Sequence, residues 1–183
     1  GAIGFPLPGV ETRIQAEGGG KVEKGEVGIL QVKGANVFNG YWGKPELNAS
    51  EFAEGYFITG DLVQEAPDGR LTLVGRSKDL VISGGLNIYP KEIESVLDQQ
   101  PGILESAVFG VPHPDFGEGL VAAVVPHPGA VLNTDNLLTA CREKLAAYKS
   151  PKSIVLLNEL PRNSMGKVQK NNLREQHASL FQS

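Results

Sequence analysis

Ser106-Ala-Val-Phe-Gly-Val111 and Leu120-Val-Ala-Ala-Val-Val125 are short runs made almost wholly of apolar residues. Each reads as a β-strand. Neither alternates with polar residues, so both are predicted to be buried on both faces. On the amino-terminal side, Pro90 suits the first position of a helix, where its missing N–H costs nothing. Ile93, Val96 and Leu97 then share one face of that helix, with Lys91, Glu92 and Glu94 expected outside. Glu92 and Glu94 in the first turn also suit the helix dipole. On the carboxy-terminal side, Asn133 or Thr134 caps a second helix carrying Leu137, Leu138, Cys141 and Leu145. Pro151 forbids its continuation. Ser153-Ile-Val-Leu-Leu157 is a third strand, and 170–181 is predicted to be a final polar helix with Leu173 and Leu180 as its apolar contacts. His177 on that helix is expected at the surface. The order βαββαβ plus a last helix predicts an α+β domain, a short central sheet flanked by helices.

Residues before about 75 have a different character. Gly28-Ile-Leu-Gln-Val-Lys-Gly34 is an apolar run closed by glycines, which suits a strand. Turn residues precede it in Glu17-Gly-Gly-Gly20 and Lys24-Gly25. Asp68-Gly69 is a hairpin signal leading into the alternating Arg70-Leu-Thr-Leu-Val74. The expected organisation is a small turn-rich β unit over 1–77 and the α+β domain over 78–183, with the boundary at Lys78. No internal repeat or low-complexity segment interrupts either.

Of the 183 residues, 40% are hydrophobic, enough for packed cores, and the net charge is −4. An acidic balance argues against a general nucleic-acid or membrane-surface binder, which needs a basic face. A single cysteine, Cys141, excludes an intramolecular disulfide. It lies among apolar residues with no histidine near it in sequence, so it reads as a buried structural thiol. No stretch is long enough to span a bilayer and no signal-peptide pattern opens the chain, so a cytoplasmic location is expected. The chain starts at Gly1 and its only methionine is Met165. It is therefore expected to be a carboxy-terminal piece of a longer protein.

Four clusters of polar residues and glycine carry the chemistry. Asp61 follows Thr59-Gly60, where a carboxylate can accept hydrogen bonds from two adjacent hydroxyls; a turn-capping aspartate is the equal alternative. Arg76 follows Gly75 at the end of a strand, placed either to bind phosphate or ribose or to form a salt bridge with Asp61 or Asp79. Ser83-Gly84-Gly85 allows positive φ and close approach of backbone to a ligand; its plainer role is a turn before the Pro90 helix. It lacks the spacing of a dinucleotide fingerprint. Lys167, in Pro161-Arg-Asn-Ser-Met-Gly-Lys167-Val-Gln-Lys170, sits in a run of small, flexible residues. There a mobile ammonium can offset charge on a phosphoryl group. Otherwise Lys167 and Lys170 are solvated surface lysines. His113 and His127 each precede a proline and are expected in exposed turns. No spacing of the three histidines indicates a metal site.

Taken together and in order, these segments resemble those of the acyl-adenylate-forming superfamily of acyl-CoA synthetases, luciferases and peptide-synthetase adenylation domains. The segments are Gly28–Gly34 running to Gly40-Tyr-Trp42, Tyr56 to Asp61, Gly75 to Glu94, and Leu160 to Lys167. The resemblance implies that Asp61 holds the ATP ribose hydroxyls and that Arg76 contacts the same nucleotide region. It implies that Lys78 is a hinge between two orientations of the carboxy-terminal domain. Lys167 would touch substrate carboxylate and phosphate during adenylation, while Ser83, Gly84 and Gly85 would line the pantetheine tunnel after the swing. MgATP and CoA would be substrates, with no cofactor held tightly.

Within the superfamily, 87–94, 113–119 and 161–171 look most like the malonyl-CoA synthetases, so malonate is the expected acid. Methylmalonate is close behind, and other small carboxylates stay open. Two departures bear on activity: neither the Ser/Thr/Gly-rich phosphate loop nor the aromatic-Gly-x-Thr-Glu segment of the superfamily occurs in these residues. By itself the chain is expected to catalyse neither step without an amino-terminal domain. Pro161-x-x-x-x-Gly166-Lys167 also resembles the recognition motif of protein lysine acetyltransferases, which makes Lys167 an acetylation candidate and such an enzyme a candidate partner. A peptide-synthetase adenylation domain and a non-enzymatic α+β binding module are the competing expectations.

Overall fold

A computed structural model describes residues 2–16 and 18–182, so Glu17 of the expected first turn lies outside the described residues. The chain divides into two compact units, Gly1–Lys78 and Asp79–Ser183.

The first unit contains strands β1 (Ala2–Gly4), β2 (Glu11–Gln15) and β3 (Val27–Lys33), helix α1 (Pro45–Glu51), and strands β4 (Phe52–Ala53), β5 (Tyr56–Glu65) and β6 (Leu71–Arg76). The strands form one antiparallel sheet in the order β1-β6-β5-β3-β2, with β4 also on β5. Leu30, Val63 and Leu71 are its buried centre, and Ile14, Val32 and Leu73 pack around them. The Asp68-Gly69 turn joins β5 to β6 as expected. Gly69 sits at φ +87°, a left-handed geometry that glycine adopts without the Cβ penalty. The segment before Asp61 differs from its reading as a polar cluster. It is the first half of the ten-residue strand β5, because Tyr56, Phe57, Ile58 and Thr59 are all strand formers.

The second unit contains β7 (Val81–Ser83), β8 (Leu86–Ile88), α2 (Pro90–Leu97), β9 (Ile103–His113), β10 (Gly117–Pro126), α3 (Thr134–Lys144), β11 (Ser153–Leu156) and α4 (Lys170–Gln176). The two apolar runs form the β9–β10 hairpin, in register from Gly117↔His113 through Val125↔Glu105. β11 runs parallel to β10, while β7 and then β8 continue the sheet antiparallel. Side chains alternate across a strand, and here the alternation splits the hairpin between two cores. Val108, Leu120, Ala122 and Val124 pack with Ile93 and Leu97 of α2 and Leu137 and Cys141 of α3. Ala107, Phe109, Val111, Val121, Ala123 and Val125 pack on the other face with Leu160 and Leu173. Each fully buried aliphatic or aromatic side chain contributes roughly 1.5–3 kcal/mol.

The helices start where the sequence says and differ in detail. Pro90 opens α2, whose buried positions are Pro90, Ile93, Glu94 and Leu97. Glu94 is therefore not on the outer face. Asn133 caps α3, its side chain accepting the Asn136 N–H at 3.0 Å. That helix ends at Lys144, where Leu145 turns to extended backbone, so Pro151 is not its terminator. Cys141 is fully buried, and burial pushes its thiol above the ordinary cysteine value. Helix α4 is shorter than expected and ends at Gln176. Beyond it the chain folds back until Phe181 lies over Gly119, where a Cβ would come within 2.6 Å of the ring. Leu173 is buried and Leu180 exposed.

Two histidine expectations are corrected. His177 is half-buried, with its ring 5.9 Å from that of Phe109. The apolar side of the short α4 draws it inward. His113 ends β9 between the rings of Phe116 and Phe181, at 4.8 and 5.0 Å, because the chain end folds over it. His127 is exposed as expected.

Candidate active-site segments

In the first unit, Asp61 and Arg76 face each other across β5 and β6, a directly paired position in the ladder. The Arg76 Nε donates to Asp61 Oδ1 at 2.9 Å, and its guanidinium also donates to the Thr59 carbonyl at 3.1 Å. Thr59 is itself fixed: its hydroxyl donates to the Leu30 carbonyl at 2.8 Å and accepts the Asp61 N–H at 3.0 Å. Of the two sequence alternatives for Arg76, the salt bridge is thus formed. The pairing orients the carboxylate and leaves it about a quarter exposed at the sheet surface. Lys78 lies in the one-turn 3-10 helix Ser77–Asp79, where the chain passes from one unit to the next.

In the second unit, Ser83-Gly84-Gly85 is the tip of the β7–β8 hairpin rather than an open loop. Ser83 pairs with Leu86, and both glycines have positive φ, +58° and +79°. That is the geometry of a tight two-residue hairpin turn, which the adjacent glycines permit. The tip is tied to the main sheet by the Gly84 N–H, which donates to the Phe116 carbonyl at 2.9 Å. Beside it opens a cavity of about 170 Å³ lined by Ser83, Gly84, Phe116, Tyr148, Ser150 and Lys152. The Lys152 ammonium lies 4.1 Å from the Phe116 ring centre, and the buried Ser150 hydroxyl has no hydrogen-bond partner among the described residues. Lys149 pairs with Glu92, whose hydrogen bond holds its ammonium protonated above the ordinary lysine range.

Lys167 lies on a turn that is braced, not loose. The Asn163 side-chain oxygen accepts the N–H groups of Met165 (3.0 Å) and Lys167 (2.9 Å), and the Asn163 N–H donates to the Lys167 carbonyl at 2.9 Å. Gly166 supplies φ +76° at the corner. Arg162 donates to the Gly166 carbonyl at 2.7 Å and pairs with Glu105 of β9, anchoring the turn to the sheet. The Lys167 side chain itself is exposed, and no carboxylate pairs with it among the described residues. A cation on a rigid mount is suited to meeting an incoming anion.

Lys170 is not a solvated lysine. Its ammonium bonds Glu94 Oε1 at 2.6 Å, and the two side chains are 14% and 9% exposed. Glu94 Oε1 also accepts the Val108 N–H at 3.0 Å. Glu94 therefore joins α2, the outer edge of β9 and the first residue of α4. Sequence reasoning missed both Glu94 and Asn163. Each had a signal: position 94 falls four residues after Pro90 on the buried stripe, and asparagine before Ser-Met-Gly is a turn former. Among the described residues no group of three His, Cys, Asp or Glu side chains is placed to hold a metal ion.

With this geometry in place, known proteins give the class. Residues 92–167 match the AMP-binding enzyme C-terminal domain family. The match lies within the second unit, and the relatives that the chain matches along its length include acyl-CoA ligases. It is 41% identical to the indoleacetate–CoA ligase of Aromatoleum aromaticum over 175 residues, 96% of this chain and 34% of the relative. Among solved structures, ATP-bound MatB from Rhodopseudomonas palustris shares 50% identity at a TM-score of 0.91, over 99% of this chain and 36% of that one. The o-succinylbenzoate CoA synthetase MenE of Bacillus subtilis, solved with its acyl-adenylate intermediate, shares 37% identity at a TM-score of 0.90, over 95% and 35%. The chain thus spans about a third of the length of the proteins it matches.

Proposed function

We propose that this chain is the carboxy-terminal portion of an AMP-forming acyl-CoA synthetase whose acid is malonate. In the first step a carboxylate oxygen attacks the α-phosphorus of MgATP, giving acyl-AMP and releasing pyrophosphate. In the second the CoA thiol attacks the acyl carbonyl and AMP leaves. Asp61, oriented by Arg76, accepts the ribose hydroxyls. Lys167 stabilises negative charge on the carboxylate and phosphate as the first step proceeds. The second unit then turns at Lys78 and brings the Ser83-Gly84-Gly85 tip and its cavity to the thiol arm, a gating motion that assembles two sites in turn. The observation that carries this reading is the exposed Lys167 ammonium on a turn fixed by Asn163. Identity to an ATP-bound structure and to a CoA ligase supports it. The remaining substrate contacts are assigned to an amino-terminal domain, and the compartment to the cytoplasm.

The test is pyrophosphate release by the full-length protein with ATP and malonate, methylmalonate, acetate or a medium-chain acid. Malonate is expected to turn over fastest. Preference for another acid replaces the acid assignment alone, and no release with any acid overturns the reading.

A protein lysine acetyltransferase is proposed to act on Lys167. Neutralising the ammonium removes its phosphate contact. The expected result is a mass gain of one acetyl group at Lys167 together with loss of adenylation; acetylation elsewhere, with adenylation intact, counts against it.

A further inference from the structure

The Gly84-Gly85 tip meets the rest of the sheet along a narrow seam. The register pair between β7 and β10 is Gly117↔Ser83. At the next position the Ile82 N–H is taken by a side chain: Glu118 Oε2 accepts it at 2.8 Å. The carboxylate reaches this point only because residue 110 on β9 has no side chain. A Cβ there would stand 2.6 Å from Glu118 Oε1 and 2.7 Å from a Val81 methyl. Gly110, Glu118 and Val81-Ile82 thus form one packed arrangement at the base of the hairpin, with the carboxylate as the polar tie.

We propose that Glu118 is a positioning residue for the thioester-forming step: its carboxylate sets the seat of the Gly84-Gly85 tip on the main sheet, and Lys167 does not depend on it. The mechanism is geometric. An amide held by a charged acceptor forms a stronger, more directional bond than one held by water, and a small misplacement of a positioning segment costs rate steeply. The Lys167 turn is anchored separately, through Asn163 and the Arg162–Glu105 pair. Loss of Glu118 therefore affects the two steps unequally. This inference rests on the functional reading above, which gives the tip to CoA and Lys167 to adenylation.

The experiment compares Glu118→Ala, Glu118→Gln and Gly84→Ala in the full-length enzyme. Acyl-AMP formation is measured as pyrophosphate release without CoA, and thioester formation from preformed acyl-AMP at varied CoA. For Glu118→Ala, adenylation is expected within about twofold of the parent and thioester formation about tenfold slower, with a raised KM for CoA. Gln keeps a side-chain acceptor for the Ile82 N–H, so Glu118→Gln is expected to restore most of the rate. Exchange of the Ile82 amide, read by NMR on the full-length protein, is expected to speed up in Glu118→Ala and not in Glu118→Gln. Equal loss in both steps, loss in neither, or no rescue by Gln overturns the proposal. Gly84→Ala separates the two levels: its φ of +58° makes any side chain strained. If it slows thioester formation while Glu118→Ala does not, the tip has its role and Glu118 lacks one. If neither variant slows that step, the CoA reading of the tip fails and this proposal fails with it.

Discussion

Lys167→Ala in the full-length enzyme is expected to lower acyl-adenylate formation by about 10²–10³-fold, the usual cost of deleting one transition-state charge stabiliser. The thioester step, started from preformed acyl-AMP, is expected to stay within about threefold, since the proposed role of Lys167 is confined to the first step. The side chain is exposed and the Asn163 bonds go to the backbone of the turn, so the substitution leaves the turn standing. Stability should move by no more than about 0.5 kcal/mol. Lys167→Arg keeps the charge but changes its shape and reach and recovers part of the rate; Lys167→Gln behaves like Ala. Pyrophosphate release without CoA is the measurement. An undiminished rate in Lys167→Ala defeats the assignment of residue 167.

Glu94→Ala is expected to destabilise the second unit by about 3–5 kcal/mol, because it strands a mostly buried ammonium without its partner. The Val108 N–H at the outer edge of β9 also loses its acceptor. Urea unfolding followed by far-UV circular dichroism reads this directly, since α2, α3 and α4 all belong to that unit. The double variant Glu94→Met, Lys170→Met is expected to recover most of the loss. Replacing both charges by apolar groups of similar size removes the unpaired charge along with its cost. If the double variant is as unstable as the single one, the pair is more than a local electrostatic contact.

The central architecture was legible because it is written in hydrophobic pattern. The runs 106–111 and 120–125 have no polar interruption, and the structure buries both faces of each. Pro90 and Asn133 marked helix starts through backbone chemistry that does not depend on the rest of the chain. Elements carried by fewer residues were harder. The β7–β8 hairpin has only three residues in each strand, too few for periodicity to register, and its glycines read as a loop. Glu94 reads as an outer-face residue by its type, while its position puts it on the buried stripe. At helical spacing it belongs with Pro90, Ile93 and Leu97, and a buried carboxylate becomes acceptable only once Lys170, far away in sequence, is known to lie beside it. The Lys167 segment looked flexible because glycine and small residues are permissive. What fixes it is one asparagine side chain, whose bonds composition does not reveal.

Over 107–111 and 120–125, the β9–β10 hairpin has odd-numbered positions answering to one set of neighbours and even-numbered positions to another. Damage on opposite sides of the sheet should accordingly sum, whereas two changes under the same helix should compound or compensate. Sequence drift can therefore rework the lining beneath α4 without renegotiating the fit of α2 and α3. A family that varies its chemistry while preserving its scaffold can draw on that independence.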